Sequence, residues 1–94
     1  RRAADPAEQL AALRRPRVKV CGVTRAEDAA VAVAAGADYI GFNFHPGSPR
    51  YIKPEHAAVI ARNLPNTVAA VGVFVDAPRS SVRRIANEVG LDVL

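Results

Sequence analysis

The chain has 94 residues, the size of a single domain. Half of its residues are hydrophobic and 23% are charged, a balance typical of globular rather than disordered proteins. No run of about 18 uncharged apolar residues occurs and no secretory signal pattern opens the chain, so we expect neither a membrane span nor secretion. The single cysteine excludes an internal disulfide and a four-cysteine zinc site, and it favours the reducing cytoplasm.

The net charge of +4 is confined to the N-terminal part of the chain. Residues 1–19 contain six basic and two acidic residues, whereas residues 20–94 contain seven of each. Nucleic-acid binding would need aromatic side chains interleaved with the basic ones, and residues 1–16 contain no aromatic residue. We therefore expect no nucleic-acid partner and interpret the basic residues as a solvated helical face.

A short helix is predicted at the N-terminus. Asp5 fits its N-cap, Pro6 its first helical position and Glu8 the acidic position of a capping box. Pro16 ends it, because proline disfavours helical geometry in the residue before it. We expect residues 1–16 to form a helical extension outside the main fold.

From residue 17 onward, strand-like segments alternate with helical patterns. The predicted strands begin at residues 17, 39, 68 and 91, the rhythm of βα units with parallel strands and right-handed helical crossovers. A capping box of Thr24 and Glu27 is predicted to begin the first helix of this region, which Gly36 ends. The strand over residues 68–75 is nearly all apolar, as is typical of strands covered on both faces.

The next two helices are predicted to begin at Pro54 and Pro78, and Gly90 ends the second of them. Apolar residues at helical spacing mark the faces expected to be buried: Ala26, Ala29, Ala30, Val33 and Ala34 in the first helix of the region, Ala57, Ile60, Ala61 and Leu64 in the next, and Val82, Ile85, Ala86 and Val89 in the last.

This pattern fits either a small open sheet or the first part of a larger α/β fold. A complete (β/α)₈ barrel needs about 200 residues or more, so it cannot fit here. The chain stops inside its fourth apolar strand, and an isolated parallel sheet would leave apolar edges unpaired. We therefore predict that residues 17–94 form about the first half of a (β/α)₈ barrel, completed by a missing C-terminal half or by a second copy.

Candidate functional residues follow the predicted strands, where parallel α/β folds place their sites. Cys21 ends the first strand, and its position alone fits both a thiolate base or nucleophile and a small buried hydrophobe. Arg50, in the loop after the second strand, could bind a carboxylate or pair with a surface acid. His45 is a weaker acid–base candidate, His56 is expected to face solvent, and Asp76 is expected to cap the last helix.

Other kinds of site lack support in the sequence. The two histidines and one cysteine do not have metal-ligand spacing, and no glycine-rich phosphate motif occurs. Gly72 is interpreted instead as a place where the backbone packs closely. We expect no metal site.

Three ordered motifs carry a family resemblance. Residues 19–24 (KVCGVT) with Glu27 and Asp28, residues 36–44 (GADYIGFNF) followed by 48–51 (SPRY), and residues 71–75 (VGVFV) resemble motifs of phosphoribosylanthranilate isomerases, which act in tryptophan biosynthesis. The match runs from about residue 17 to residue 94 in the right order and at the right spacing. Residues 1–16 lie outside it.

The resemblance implies a (β/α)₈ barrel that carries out an Amadori rearrangement of N-(5-phosphoribosyl)anthranilate without cofactor or metal. It implies that Cys21 is the general base, which removes the proton from C2 of the sugar, and that Arg50 contacts the anthranilate carboxylate. The substrate is a small molecule with an anionic carboxylate and an anionic phosphate.

The family's general acid, an aspartate, and its phosphate site lie on later strands that these 94 residues do not include. We therefore expect the chain alone to be inactive. The alternatives are a non-catalytic half-barrel that self-associates and a different barrel enzyme acting on sugar phosphates.

Overall fold

A computed structural model describes residues 5–12 and 16–94. Within these residues, three strands pair in parallel in the order β1-β2-β3, and four helices accompany them. The elements in chain order are α1 (Pro6–Ala12), β1 (Lys19–Cys21), α2 (Ala26–Ala34), β2 (Tyr39–Asn43), α3 (Pro54–Arg62), β3 (Ala69–Val73) and α4 (Arg79–Val89). Within the described residues, no helix combines the length and apolar character needed to cross a membrane.

The strand order places the helices on one side of the sheet. Sequential neighbours joined by right-handed crossovers keep the connecting helices α2 and α3 on the same face, as in a barrel, whereas a doubly wound sheet reverses its order and covers both faces. Ile40 and Phe42 of β2 are completely buried in the core beneath these helices.

Helix α3 begins at Pro54, as predicted, and the apolar face predicted for it is confirmed. Its residues Ala57, Ile60 and Ala61 are buried, and so is Leu64, which follows the end of the helix.

The turn from α2 into β2 sets the register of the first two strands. Gly36 has a φ of +99°, and Ala37 N–H donates to the carbonyl of Ala32, so the helix ends in a Schellman motif. Two residues after Gly36, the Asp38 carboxylate accepts a 2.7 Å hydrogen bond from Val18 N–H. The backbone N–H of Asp38 in turn donates to the carbonyl of Val18. Asp38 is therefore hydrogen-bonded to both backbone groups of Val18, the residue before β1.

The same turn recurs after α4. Gly90 ends that helix with a φ of +78°, as predicted, and two residues later the Asp92 carboxylate accepts a 2.8 Å hydrogen bond from Ala70 N–H of β3. The backbone N–H of Asp92 donates to the carbonyl of Ala70. Val93 then forms an isolated parallel bridge with Val71, which is the beginning of the predicted fourth strand.

Two predicted helix caps are wrong. The α2 helix begins at Ala26 with Arg25 at the N-cap, and no side chain caps it, so Thr24 lies one residue too early to form a capping box with Glu27. At α4 the N-cap is Pro78, again without a side-chain hydrogen bond. Asp76 has a φ of +50° in the turn before that helix and does not cap it.

The predicted inner face of α2 is only partly correct. Ala29 is buried as expected, but Ala32, which the prediction left out, is buried as well, whereas Ala26 and Ala30 are exposed. The predicted stripe borders a groove of about 310 Å³ between α2 and α3 rather than the sheet alone. The groove is lined by Ala26, Ala29, Ala30, Val33, Ala34, Ile60, Asn63, Leu64 and Pro65.

The strand β3 is shorter than predicted. It spans Ala69–Val73, and Val75, predicted to lie in it, is 50% exposed. Helices α2, α3 and α4 pack on the face that carries Ala70, and Val71, which alternates to the other face, is only 7% exposed.

The N-terminal helix is partly within the described residues. Asp5 caps α1 as predicted, since its carboxylate accepts a 2.9 Å hydrogen bond from Glu8 N–H. The part of the predicted extension at residues 1–4 and 13–15 lies outside the described residues.

Candidate active site

The candidate site lies on the face of the sheet opposite the helices. Val20 packs against the core beneath the helices, and alternation along β1 therefore directs its neighbours Lys19 and Cys21 to the other face. Cys21 is exposed there at the carboxyl end of β1. Its side chain is thus not a small buried hydrophobe in the described part of the chain, and it is accessible at the edge where parallel α/β folds place their chemistry.

Gly41 of β2 provides the space that the Cys21 side chain occupies. The two residues pair in register, and a Cβ placed on Gly41 would lie 3.0 Å from Cys21 Sγ and 3.2 Å from Lys19 Cε. The Gly41 carbonyl accepts hydrogen bonds from the N–H groups of Gly22 (3.0 Å) and Val23 (3.1 Å). Gly41 therefore both accommodates the thiol and fixes the turn that follows it.

The loop after β2 folds back onto the end of that strand through a series of turns. The Asn43 side-chain oxygen accepts a 2.9 Å hydrogen bond from His45 N–H, and Ser48 N–H donates to the His45 carbonyl. The Ser48 hydroxyl accepts a 3.1 Å hydrogen bond from Arg50 N–H. Ile52 N–H then returns to the Asn43 carbonyl at 3.0 Å. These bonds close the loop and direct Arg50 toward β1.

Arg50 packs across the residue that follows Cys21. A Cβ placed on Gly22 would overlap Arg50 Cδ and would lie 3.4 Å from both Cβ and Cγ of that arginine. Gly22 also has a φ of +82°, which L side chains rarely adopt. The structure therefore brings Arg50 and Cys21, far apart in the sequence, to the same end of the sheet.

The other sequence candidates do not join this pair. His45 is half-buried and its ring folds over its own loop, since a Cβ on Gly47 would lie 2.9 Å from His45 Nε2. His56 is exposed on α3, as predicted. Within residues 5–12 and 16–94, no three histidine, cysteine or acidic side chains are grouped so that they could hold a metal ion.

The open face is cationic at β1 and otherwise neutral. Among the described side chains that β1–β3 direct to it, Lys19 is the only charged one. These residues are Lys19, Cys21, Tyr39, Gly41, Asn43, Ala69, Val71 and Val73. Below them, the Arg17 guanidinium donates a 2.8 Å hydrogen bond to the Tyr39 hydroxyl. Lys19 on the open face and Arg50 over Gly22 thus place two cationic side chains near the end of β1.

Sequence reasoning missed Gly22, Gly41 and Lys19 as parts of this site. Lys19 could have been found from strand alternation, because it lies two residues before Cys21 and therefore on the same face. The roles of the two glycines depend on contacts between distant segments and have no local signal in the sequence.

A family comparison agrees with this geometry. The model of the N-(5'-phosphoribosyl)anthranilate (PRA) isomerase family matches residues 18–94. The chain belongs to this family. The family resemblance predicted from the three motifs is therefore confirmed, and so is the fold class of parallel βα units from a (β/α)₈ barrel.

Individual PRA isomerases are similar to this chain over most of its length. The enzyme from Geobacter sp. (strain M21) is 55% identical over 78 residues, which are 83% of this chain and 38% of the relative. The crystal structure of the Thermotoga maritima enzyme is 46% identical with a TM-score of 0.82, over 84% of this chain and 39% of that one. A PRA isomerase in complex with reduced 1-(o-carboxyphenylamino)-1-deoxyribulose 5-phosphate is also 46% identical, with a TM-score of 0.82, over 84% and 41% of the two chains. This chain thus spans about two fifths of the length of the PRA isomerases it matches.

Proposed function

We propose that this chain supplies the general base and the carboxylate-binding residue of a PRA isomerase. In this proposal Cys21 removes a proton from the sugar and Arg50 binds the anthranilate carboxylate. The observation that carries it is the packing of Arg50 over Gly22, directly after Cys21, because a base and an anchor can act on one small substrate only if they share one rim.

The chemistry of an Amadori rearrangement accounts for a base at this position. Protonation of the ring oxygen opens the furanose and leaves an iminium ion at C1. Removal of the C2 proton by the Cys21 thiolate then leaves the C–H electron pair as a C1=C2 double bond, and the resulting enolamine tautomerises to the aminoketose. The reaction needs an acid and a base on opposite sides of the sugar, and Cys21 is the exposed thiol at the rim of the open face.

Arg50 is suited to an aryl carboxylate. Its guanidinium makes no ion pair within the described residues, whereas its backbone N–H and aliphatic chain are both held in place. A planar fork of N–H donors binds a carboxylate through two parallel hydrogen bonds. The compound bound to the related PRA isomerase carries such a carboxylate on its carboxyphenylamino group, together with a phosphate.

The remaining parts of the machinery belong to the rest of the barrel in this proposal. Residues 17–94 are its first half, residues 1–16 an extension, and a C-terminal half packs against the open face, pairs with the free edges of the sheet and adds the general acid and the phosphate site. Parallel barrels collect catalytic groups from the ends of several strands and bind phosphate after the last two. A second copy of this chain would cover the same face but would supply neither group.

The test uses the full-length protein that contains this chain, assayed for conversion of N-(5-phosphoribosyl)anthranilate. Cys21→Ser is expected to lower kcat by about 10²–10⁴-fold with little change in KM, since a hydroxyl replaces the proton acceptor. Arg50→Lys is expected to raise KM by about 10–100-fold, because one paired hydrogen bond is lost. His56→Ala, an exposed change away from the rim, is the control.

Two results would overturn the proposal. One is a Cys21→Ser enzyme with wild-type kcat, and the other is turnover by the 94-residue chain alone at the full-length rate. A defined dimer of the 94-residue chain that turns over the substrate would instead favour completion of the barrel by a second copy.

A further inference from the structure

We propose that Gly22 is a positioning residue for carboxylate binding, because its bare α-carbon is the surface on which the Arg50 side chain lies. This inference rests on the proposed function and extends it to a residue that is neither the proposed base nor the proposed carboxylate-binding residue. Gly22 would determine where the guanidinium lies relative to the Cys21 thiol. The position of the bound anthranilate carboxylate would in turn determine where the sugar C2 lies relative to that thiol.

Gly22 differs from the other glycines that have positive φ in the described residues. Gly36 and Gly90 have φ values of +99° and +78°, both follow helices, and a Cβ on either would meet no atom within 4 Å. Gly22 has nearly the same φ as Gly90 but follows a strand, and a Cβ there would overlap the Arg50 side chain. Backbone conformation explains all three glycines, whereas only Gly22 is also required by a neighbouring side chain.

Both partners of this contact are held by separate hydrogen bonds. Gly22 N–H donates to the Gly41 carbonyl at 3.0 Å, so the surface is fixed to β2. Arg50 N–H donates to the Ser48 hydroxyl at 3.1 Å, so the base of the side chain is fixed within its loop. Between these anchors the aliphatic chain of Arg50 crosses Gly22, with its Cβ and Cγ each 3.4 Å from the position that a Cβ of Gly22 would occupy.

The contact limits the rotamers of an exposed arginine before any ligand binds. A guanidinium binds a carboxylate with two parallel hydrogen bonds only when its plane has the correct orientation, so a fixed aliphatic chain favours binding. A methyl group on Gly22 would lift the chain away from the backbone and rotate the fork. The expected effect is therefore on substrate affinity more than on proton transfer.

The experiment compares Gly22→Ala with Gly90→Ala in the full-length protein. Both changes impose the same kind of backbone strain, because the two φ values are +82° and +78°. Gly22→Ala is expected to raise KM for N-(5-phosphoribosyl)anthranilate about tenfold or more with a smaller change in kcat, whereas Gly90→Ala leaves both constants near the wild-type values. Equal KM values in the two variants would overturn the inference.

A double-mutant cycle on thermal stability tests the same contact without an activity assay. Gly22→Ala is expected to lower Tm more than Gly90→Ala does, and the excess is expected to disappear when Arg50→Ala removes the overlapping atoms. If Gly22→Ala does not fold, the Gly22→Ala/Arg50→Ala protein should fold. An excess that persists in the Arg50→Ala background would overturn the inference.

The two readouts separate this inference from the proposed function. If the wild-type protein does not isomerise the substrate, the proposed function fails, and so does the claim about carboxylate binding. The stability cycle would then still show whether Arg50 lies on Gly22.

Discussion

Replacement of Gly41 by alanine should displace the proposed base directly. The new Cβ would lie 3.0 Å from Cys21 Sγ, 3.2 Å from Lys19 Cε and 3.3 Å from Cys21 Cα. Carbon contacts are most favourable at about 3.5–4.0 Å, so the thiol must retreat by about 0.5–1 Å. The backbone Cα, at 3.3 Å, also lies inside that range, and rotation of the Cys21 side chain alone therefore cannot relieve the crowding.

A shift of this size is large for a proton transfer. A misplacement of about 1 Å can cost on the order of 100-fold in rate, so we expect kcat of the Gly41→Ala enzyme to fall by about 10–100-fold. KM should change little, because the atoms nearest to the new Cβ belong to Cys21 and Lys19 and not to Arg50. Steady-state assays of the full-length protein measure both constants.

Gly72→Ala is the matched control for this experiment. Gly72 lies in the neighbouring strand, one residue beyond the partner of Gly41, and a Cβ there would crowd Leu91 and lie 2.9 Å from Phe74 on the helix side of the sheet. Both variants crowd their neighbours at a cost of roughly 1–3 kcal/mol of unfolding free energy. The reasoning would be refuted if Gly41→Ala kept its kcat, or if Gly72→Ala lost as much of it.

Three further predictions concern the scaffold. Asp38→Ala should lower the free energy of unfolding by about 1.5–3 kcal/mol in urea titrations, because Val18 N–H loses a charged acceptor at 2.7 Å, and Asp38→Asn should cost less because it retains an acceptor oxygen. Thr24→Ala should change stability by less than about 0.5 kcal/mol, and a loss near 1 kcal/mol would mean that a cap exists after all. The hydrogen bond from Arg25 holds the pKa of Asp28 below its ordinary value of 3.8. The contribution of this hydrogen bond to stability is therefore present above pH 3.8 and is lost as the pH falls through the lower pKa of the folded state. An NMR titration should show that low midpoint, and Arg25→Gln should raise it toward the ordinary value.

The elements best predicted from the sequence are those with strong local signals. Helix α3 has proline at its first position and large apolar side chains such as Ile60 at helical spacing, and each of these signals acts within a few residues. Gly90 was predictable as a helix end for the same reason, since a left-handed C-cap needs a glycine there. The face of α2 was harder to predict because its stripe consists mostly of alanines, which bury too little area to distinguish the sheet from the neighbouring groove.

Failed predictions in the scaffold have a tertiary cause. The Gly41 carbonyl accepts hydrogen bonds from the N–H groups of Gly22 and Val23, which attaches the loop after β1 to β2. This loop then leads into α2 with Arg25, rather than Thr24, at the N-cap. Propensity alone cannot include such a contact. The same limit applies to the candidate site, where the motifs single out Cys21 and Arg50 as candidates but give no signal for the glycines that they contact.

The two Gly-x-Asp turns connect the scaffold to the chemistry. In each one, a left-handed glycine ends a helix and an aspartate two residues later accepts a hydrogen bond from the preceding strand, which sets the parallel register at the amino ends of the strands. The register set at the amino ends determines which residues lie at the carboxyl ends and which face each of them is on. This follows because successive side chains along a strand lie on alternate faces of the sheet. A slip of one residue between β1 and β2 would direct Cys21 into the helix layer and remove Gly41 from beneath it. Asp38 therefore contributes to the placement of the thiol from the opposite end of the strand.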